Sequence, residues 1–281
     1  MTEPTDPTVS TPAEDAVSVL SSVAAGVGTI TLNRPAVNNA YDGALLAGVV
    51  EAAARLAGDA AVRLLVIRAN GRHFQAGADL KWLRAIAARD EAANLAASHQ
   101  TAQAMRSLNE IGKPVLALVH GACIGGGTGL IASCDIVVAE ATATFAISEA
   151  RWGLTAAIIF PQLVAAIGIR QLRRYALTCE TFDARRAREL GLVHEVCEAG
   201  ALDTTAAPLI DALLRAAPEA VGRSKRFAMQ CAQTLPSEAT WRQLEAEHGS
   251  RRRSAEAAEG LDSFRSRRDP AWVKNLERSS R

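Results

Sequence analysis

The sequence predicts an α/β protein, because short runs rich in β-branched residues alternate with longer segments that carry apolar residues at helical spacing. The chain has 281 residues, 49% of them hydrophobic, so it can bury one large core. Strands separated by helices over this length favour parallel strand pairing. After about residue 200 the strand signal fades, and Ala, Arg and Glu dominate, which favours helices.

The predicted elements follow one another along the chain. Residues 17–20 and 29–33 are expected to form a strand pair joined near Gly26, followed by a helix at residues 45–56 that stops near Gly58. Four further strands are expected at residues 63–68, 114–119, 136–139 and 192–196. C-terminal helices are expected at residues 203–216, 218–233 and 236–262. We therefore divide the chain into a flexible tail (1–14), an α/β core (15–200) and a helical region (201–281).

Composition argues against several classes of protein. The net charge of +1 and the aromatic content of 4% give no support for nucleic-acid binding, which needs a basic face or stacking platforms. The five cysteines include no C-x-x-C pair, so we predict no metal site. The first sixteen residues contain no Lys or Arg, unlike a secretory or mitochondrial signal. Because no segment approaches the roughly 20 apolar residues of a membrane span, we expect a cytoplasmic protein without membrane partners.

Two glycine-containing segments each follow a predicted strand and precede a helical stretch. They read G-R-H-F-Q-A-G-A-D-L at residues 71–80 and H-G-A-C-I-G-G-G at residues 120–127. Both could be simple strand-to-helix turns, where glycine adopts unusual backbone angles. Neither contains a phosphate-loop or dinucleotide-binding string. A third use is an oxyanion hole, because small residues leave amides uncovered at helix N termini.

Five short motifs occur in a fixed order along the chain. They are L-N-R-P with N-A at residues 32–40, F-Q-A-G-A-D-L, G-A-C-I-G-G-G, C-D-I at residues 134–136 and A-R-E-L-G-L-V-H-E-V at residues 187–196. Their ordered combination resembles the enoyl-CoA hydratase/isomerase (crotonase) superfamily over roughly residues 15–275. This resemblance implies a crotonase-like spiral of repeated ββα units with a helical C-terminal region that mediates oligomerisation.

The resemblance also implies a binding site for a coenzyme-A thioester. The oxyanion amides fall on Ala78 and on Gly126, the middle glycine of the triplet. The carbonyl of Ala76 would meet the adenine of coenzyme A. The coenzyme path would be lined by Val37, Asn38, Asp79, Leu80 and Lys81, although Lys81 can also be read as a solvated helix residue.

The C-terminal region carries a local basic excess at residues 251–253 and 265–268. Taken alone, these residues are expected to form solvated helix faces and surface ion pairs. The resemblance adds that Phe264 and Arg267 match positions that contact the coenzyme-A nucleotide of a neighbouring subunit. It also implies a homotrimer or a dimer of trimers.

Two acidic positions decide the chemistry that the resemblance implies. In the two-carboxylate hydratases of this superfamily, one Glu follows the glycine triplet by two residues and the second lies twenty residues further on. Here the first position is Gly129 and the second is Glu149. This register favours Glu149 as the catalytic proton carrier, with a pKa that burial would raise. Gly129 is expected to leave room beside the reaction centre for a bulky or carboxylated acyl chain.

The strings G-G-G-T-G-L and S-E-A-R-W-G-L look like a bacterial branch associated with hydrating 3-methylglutaconyl-CoA and isohexenylglutaconyl-CoA-like esters. The leading hypothesis is therefore hydration of a branched or unusual 2-enoyl-CoA. No permanent cofactor is expected, since coenzyme A arrives as part of the substrate. The alternatives are a double-bond isomerase, a thioester or carbon–carbon hydrolase, and a non-catalytic acyl-CoA-binding protein.

Overall fold

The computed structural model describes residues 17–216, 218–231 and 237–268. The predicted tail at residues 1–14 lies outside them. The strands are β1 (Val19–Ala24), β2 (Val27–Leu32), β3 (Leu64–Ala69), β4 (Val115–Val119), β5 (Ala122–Ile124), β6 (Ile136–Glu140), β7 (Thr144–Ala146), β8 (Phe182–Asp183) and β9 (Glu195–Cys197). The α-helices are α1 (Gly43–Gly58), α2 (Leu80–Ala87), α3 (Glu91–Asn109), α4 (Gly126–Ala132), α5 (Phe160–Thr178), α6 (Ala184–Leu190), α7 (Leu202–Arg215), α8 (Pro218–Cys231), α9 (Glu238–Arg252) and α10 (Ala255–Arg265).

The main sheet has six strands in the order β1-β2-β3-β4-β6-β9. The first pair is an antiparallel hairpin, and its turn at Ala25 and Gly26 has φ angles of 48° and 81°. Positive φ at both central residues is what a tight hairpin turn requires. Every later pair in this sheet is parallel, which confirms the predicted α/β class.

Both faces of the main sheet are covered, so most residues of its central strands are buried. All five residues of β4 are buried. On one face, residues such as Leu65 and Ala117 join the main core with α1 and α3. On the other face, Leu64 and Leu116 pack against α7. The successive residues of a strand point to opposite faces, and this is why a continuous apolar run marks a strand that is covered on both sides.

A second, three-stranded sheet contains β5, β7 and β8 in the order β5-β7-β8. The sequence analysis did not anticipate it, because strands of two or three residues are too short to show a period. Isolated bridges join Gln75 to Cys123 and Tyr41 to Ala78. Through these bridges the small sheet ties together the segments that carry the predicted site.

The C-terminal region corrects one predicted helix. The continuous helix expected at residues 236–262 is wrong, because α9 ends at Arg252 and α10 begins at Ala255. Ser254 separates them, and its side chain accepts a 3.0 Å hydrogen bond from the amide of Ala257, which is an N-cap. None of the helices in the described ranges combines the length and apolar character needed to cross a membrane.

Candidate active site

The two glycine segments lie side by side and are hydrogen-bonded to each other. The amide of Gln75 donates to the carbonyl of Ala122 at 3.0 Å, and the amide of Ile124 donates back to the carbonyl of Gln75 at 2.9 Å. A side chain at Gly127 would clash, because its Cβ would lie 2.7 Å from Oε1 of Gln75. The carbonyl oxygen of Gln75 would lie 3.2 Å from the same Cβ, so the close packing of the two segments favours the glycine that the sequence supplies.

The amides of Ala78 and Gly126 are in the state expected of oxyanion donors. Ala78 lies two residues before α2, and Gly126 is the first residue of α4. Neither amide donates a hydrogen bond to another residue in the described part of the chain. The first amides of a helix have no partner within it and carry the positive end of its dipole. The arrangement therefore supports the predicted oxyanion hole, whose function stays a prediction.

A cavity of about 310 Å³ adjoins these amides. Ala78 and Gly125 border it, whereas Gly126, the next residue along the chain, is not part of its lining. Apolar side chains make up much of its wall, including Leu80, Leu83, Ile124, Leu154, Trp152, Leu261 and Phe264. Its polar lining includes Tyr41, Ser148, Glu149, His248 and Arg252. An apolar cavity with a few converging polar groups is the usual form of a small-molecule site.

Glu149 places its carboxyl group beside the N terminus of α4. It begins a short 3₁₀ turn, Glu149–Trp152, and its Oε1 would lie 2.8 Å from a Cβ at Gly125. Its Oε2 is buried without a hydrogen-bond partner. Burial raises the pKa of Glu149 to about 7, against the opposing effect of hydrogen bonds from the backbone at Glu149 and Ser148. Such a carboxyl group can exchange protons near neutral pH.

The structure corrects the expectation for Gly129. This residue is buried within α4, and a Cβ there would lie 2.1 Å from Cγ2 of Ile159. Ile159 thus fills the space that was predicted to receive an acyl chain, and that prediction is wrong. Among the described residues that line the cavity, Glu149 is the only carboxylate.

Of the six predicted coenzyme-A residues between positions 37 and 81, two border this cavity and four do not. Val37 is exposed at the end of the 3₁₀ turn Pro35–Val37, and the carbonyl of Asn38 accepts a 3.1 Å hydrogen bond from the amide of Ala76. Ala76 and Leu80 border the cavity, and Lys81 is exposed. Contact of these residues with coenzyme A stays a prediction.

Asp79 has a structural role that the sequence analysis did not identify. Its side chain caps α2 by accepting from the amide of Lys81 at 2.8 Å and from that of Trp82 at 3.3 Å. It also forms a 3.2 Å ion pair with Arg34. These contacts hold the start of α2, and therefore the amide of Ala78, in place.

The two predicted C-terminal contact residues differ in their surroundings. Phe264 packs edge-to-face on Trp152, with ring centroids 4.7 Å apart, and borders the cavity of its own chain. It remains 46% exposed, which leaves a face for another partner. Arg267 is exposed and has a φ of 49°. Contact of either residue with a neighbouring subunit stays a prediction.

Several polar residues of the cavity were not predicted, among them Tyr41, His248 and Arg252. Burial and the nearby Glu149 raise the pKa of Tyr41, so its hydroxyl stays protonated. Burial lowers the pKa of His248 to about 3, so its ring is neutral near pH 7. Arg252 is only 2% exposed, which corrects the expectation of a solvated side chain at this position, whereas Arg253 is exposed as expected. The four-residue spacing of His248 and Arg252 on one helix was an available signal.

No group of three or more His, Cys, Asp or Glu side chains is arranged to hold a metal ion in the described ranges. Four cysteines, Cys123, Cys134, Cys179 and Cys197, are free thiols. For proton transfer, the site presents uncovered amides and one carboxyl group with a raised pKa. Together they suit the removal or delivery of a proton next to a carbonyl group that becomes negatively charged.

Solved structures share this architecture along nearly the whole chain. The crystal structure of an enoyl-CoA hydratase from Mycobacterium avium superimposes with a TM-score of 0.81 at 32% sequence identity, covering 92% of this chain and 100% of that one. The protein is therefore an enzyme of the crotonase fold. The family profile described as Enoyl-CoA hydratase/isomerase matches residues 22–275. The chain belongs to the enoyl-CoA hydratase/isomerase family.

Two curated relatives show the range of the family. Hydroxycinnamoyl-CoA hydratase-lyase of Pseudomonas fluorescens is 30% identical over 223 residues, which cover 78% of this chain and 79% of that protein. The 2,3-dehydroadipyl-CoA hydratase of Escherichia coli is 33% identical over 202 residues, which cover 72% and 77% of the two chains. At this level of identity, relatives act on different acyl groups, so the family alone does not specify the acyl chain.

Proposed function

We propose that the protein hydrates a branched or otherwise unusual 2-enoyl-CoA thioester. The single observation that carries this proposal is the carboxyl group of Glu149, which lies against Gly125 beside two unpaired amides and has a pKa of about 7. Both relatives described above are hydratases by name. The coenzyme-A ester would enter along the surface that Ala76 and Leu80 border, with its acyl chain in the apolar cavity.

In the proposed reaction, the amides of Ala78 and Gly126 donate to the thioester oxygen. Glu149 takes a proton from water as the water oxygen bonds to the β-carbon, and the electron pair of the double bond moves onto the thioester oxygen as an enolate. Glu149 then returns a proton to the α-carbon, so the net change is the addition of water. Each oxyanion donor stabilises the transition state by about 3 kcal/mol.

Double-bond isomerisation is the second candidate, and the environment of Gly129 favours it. Since Ile159 occupies the position beside Gly129, a second carboxyl group cannot enter there without displacing the chain at residues 157–159. A single carboxyl group is sufficient to remove a proton from one carbon and return it to another. Hydration requires Glu149 to orient water as well.

Product masses distinguish these functions. We expect the purified protein to add water to at least one member of a panel of straight, branched and carboxylated 2-enoyl-CoA esters. A product of unchanged mass with a moved double bond would instead identify an isomerase. Release of free coenzyme A would identify a thioester hydrolase, and cleavage of the acyl skeleton a carbon–carbon hydrolase. Binding without any product would identify a non-catalytic acyl-CoA-binding protein.

The pH dependence of the reaction should report the raised pKa of Glu149. Below about pH 7 the carboxyl group is mostly protonated and cannot accept a proton, so kcat/KM should fall about tenfold per pH unit and level off above pH 7. His248 does not titrate in this range, because its pKa is lowered to about 3. The measurement is kcat/KM of the best substrate from about pH 5 to about pH 9. A value of kcat/KM that stays level down to about pH 5, as the ordinary pKa of 4.5 would give, would contradict the assignment.

The assembly and location of the enzyme are proposed on the family resemblance. We propose a homotrimer or a dimer of trimers in the cytoplasm, with the C-terminal helices between subunits. The exposed ring of Phe264 supports this assembly, since large exposed apolar side chains often mark protein contacts.

A further inference from the structure

Arg252 is a buried cation at the wall of the cavity that the proposed reaction does not use. It ends α9 and is 2% exposed. Its Nη2 donates to the carbonyl of Asn94 and to Oγ of Ser98, both on α3. Its Nε and Nη1 are buried without a hydrogen-bond partner. Buried guanidinium groups normally use all of their donors, so these two nitrogens point to a missing acceptor.

The positive charge of Arg252 is also uncompensated. No carboxylate in the described part of the chain forms an ion pair with it. Among the described residues, the aromatic ring of Trp82 contacts this charge: its centroid lies 5.8 Å from the guanidinium carbon. Burial accordingly lowers the pKa of Arg252. A buried charge without a counter-charge is costly, and this cost would fall if a ligand supplied the counter-charge.

The position of Arg252 fits the acyl end of a substrate better than the thioester end. One side of the cavity belongs to α9 and α10 and carries Arg252, His248 and Leu261. The other side belongs to the core and carries Ala78, Gly125 and Glu149. Tyr41 is the link between the two groups, since both Glu149 and Arg252 influence the pKa of its hydroxyl. Of the predicted coenzyme-A residues, Ala76, Leu80 and Phe264 border this cavity, whereas Val37, Asn38, Asp79, Lys81 and Arg267 do not.

We propose that Arg252 selects acyl chains that carry a carboxylate, by donating charge-assisted hydrogen bonds to it from Nε or Nη1. The inference rests on the proposed function in one respect, namely that the acyl group of a coenzyme-A ester occupies this cavity. It adds a chemical class to that function: the substrate is the monothioester of a dicarboxylic acid. Arg252 is then a specificity-determining residue, and Glu149 remains the proton carrier.

Binding of saturated esters tests the inference without requiring turnover. Succinyl-, glutaryl- and adipoyl-CoA are compared by calorimetry with butyryl-, pentanoyl- and hexanoyl-CoA, which have the same numbers of acyl carbons but no carboxylate. We expect the wild-type protein to bind at least one carboxylated ester about 10- to 100-fold more tightly than its matched neutral ester. A preference for the neutral ester at every length, or equal affinities, would overturn the inference even if no variant folds.

Substitution of Arg252 separates recognition from a structural role. Arg252→Met should abolish the preference, and Arg252→Lys, which keeps the charge, should restore part of it. Arg253→Met is the matched control, because Arg253 is exposed and does not border the cavity, and it should leave the preference unchanged. Arg252→Met could instead weaken the binding of carboxylated and neutral esters equally. Arg252 would then bind the coenzyme portion or only hold α9 to α3, and the inference is overturned.

The outcomes also distinguish this inference from the proposed function. A protein that prefers carboxylated esters but adds no water to their unsaturated forms would refute hydration and leave the role of Arg252 intact. A protein that hydrates only neutral enoyl-CoA esters and shows no preference would refute the role of Arg252 and leave hydration intact.

Discussion

Glu149→Gln should lower kcat by about 10²- to 10⁴-fold, the range that general acid–base groups contribute. Glutamine keeps the shape of the side chain beside Gly125 but can neither accept nor return a proton at the substrate carbon. Binding of a saturated acyl-CoA should change little, because the coenzyme and acyl contacts remain. The measurements are single-turnover rates for the best substrate and the dissociation constant of its saturated analogue.

The thermal stability of Glu149→Gln and a matched control variant show whether the loss of activity is specific to the carboxyl group of Glu149. The pKa of Glu149 is raised from 4.5 to about 7, so the folded state binds the proton more tightly than the unfolded state does. Stability from this group is therefore lost as pH rises from 4.5 to 7, and the neutral Gln should not lower the melting temperature at about pH 8. Glu51→Gln, on an exposed position of α1, should leave both rate and binding unchanged. Wild-type turnover in Glu149→Gln would exclude this residue as the proton carrier.

The parts of the fold that the sequence predicted are those in which local pattern and tertiary environment agree. The apolar run at β4 is stable in only one arrangement, a strand that is covered on both faces. The run at residues 192–196 was read in the same way, yet the strand β9 comprises only Glu195–Cys197, because Leu192 and Val193 pack in the core outside the sheet. Apolar content alone does not separate these two cases.

The residues of the site also fall into two groups, those that the sequence predicted and those that it did not. The glycine segments and Glu149 could be located because their chemistry requires fixed residue types at fixed spacing. Ile159 and Arg252 could not, since each acts through a neighbour distant in sequence: Gly129 for Ile159, and Asn94 and Ser98 for Arg252. A basic helix residue is solvated far more often than buried, so pattern alone favoured the wrong environment for Arg252.

Gly125→Ala should lower kcat/KM by at least about 10²-fold, the effect of removing one oxyanion donor. Gly125 has φ of 56° and ψ of −123°, a conformation that residues with a Cβ rarely adopt. Its ψ angle orients the peptide unit that carries the amide of Gly126. An alanine would turn that amide, and its Cβ would lie 2.8 Å from Oε1 of Glu149 and displace the carboxyl group. The added methyl group therefore disturbs both the oxyanion amide of Gly126 and the carboxyl group of Glu149.

Gly168→Ala supplies the control that separates backbone strain from damage to the site. Gly168 also has a positive φ, 72°, but it interrupts α5 and a Cβ there would have no atom within 4 Å. Both substitutions should lower the melting temperature, because strained backbone costs about 1–3 kcal/mol. Only Gly125→Ala should lose activity, since only its peptide unit carries an amide that is assigned to the proposed oxyanion hole. Equal losses of kcat/KM in both variants would mean that general destabilisation, and not the oxyanion amide, controls the rate.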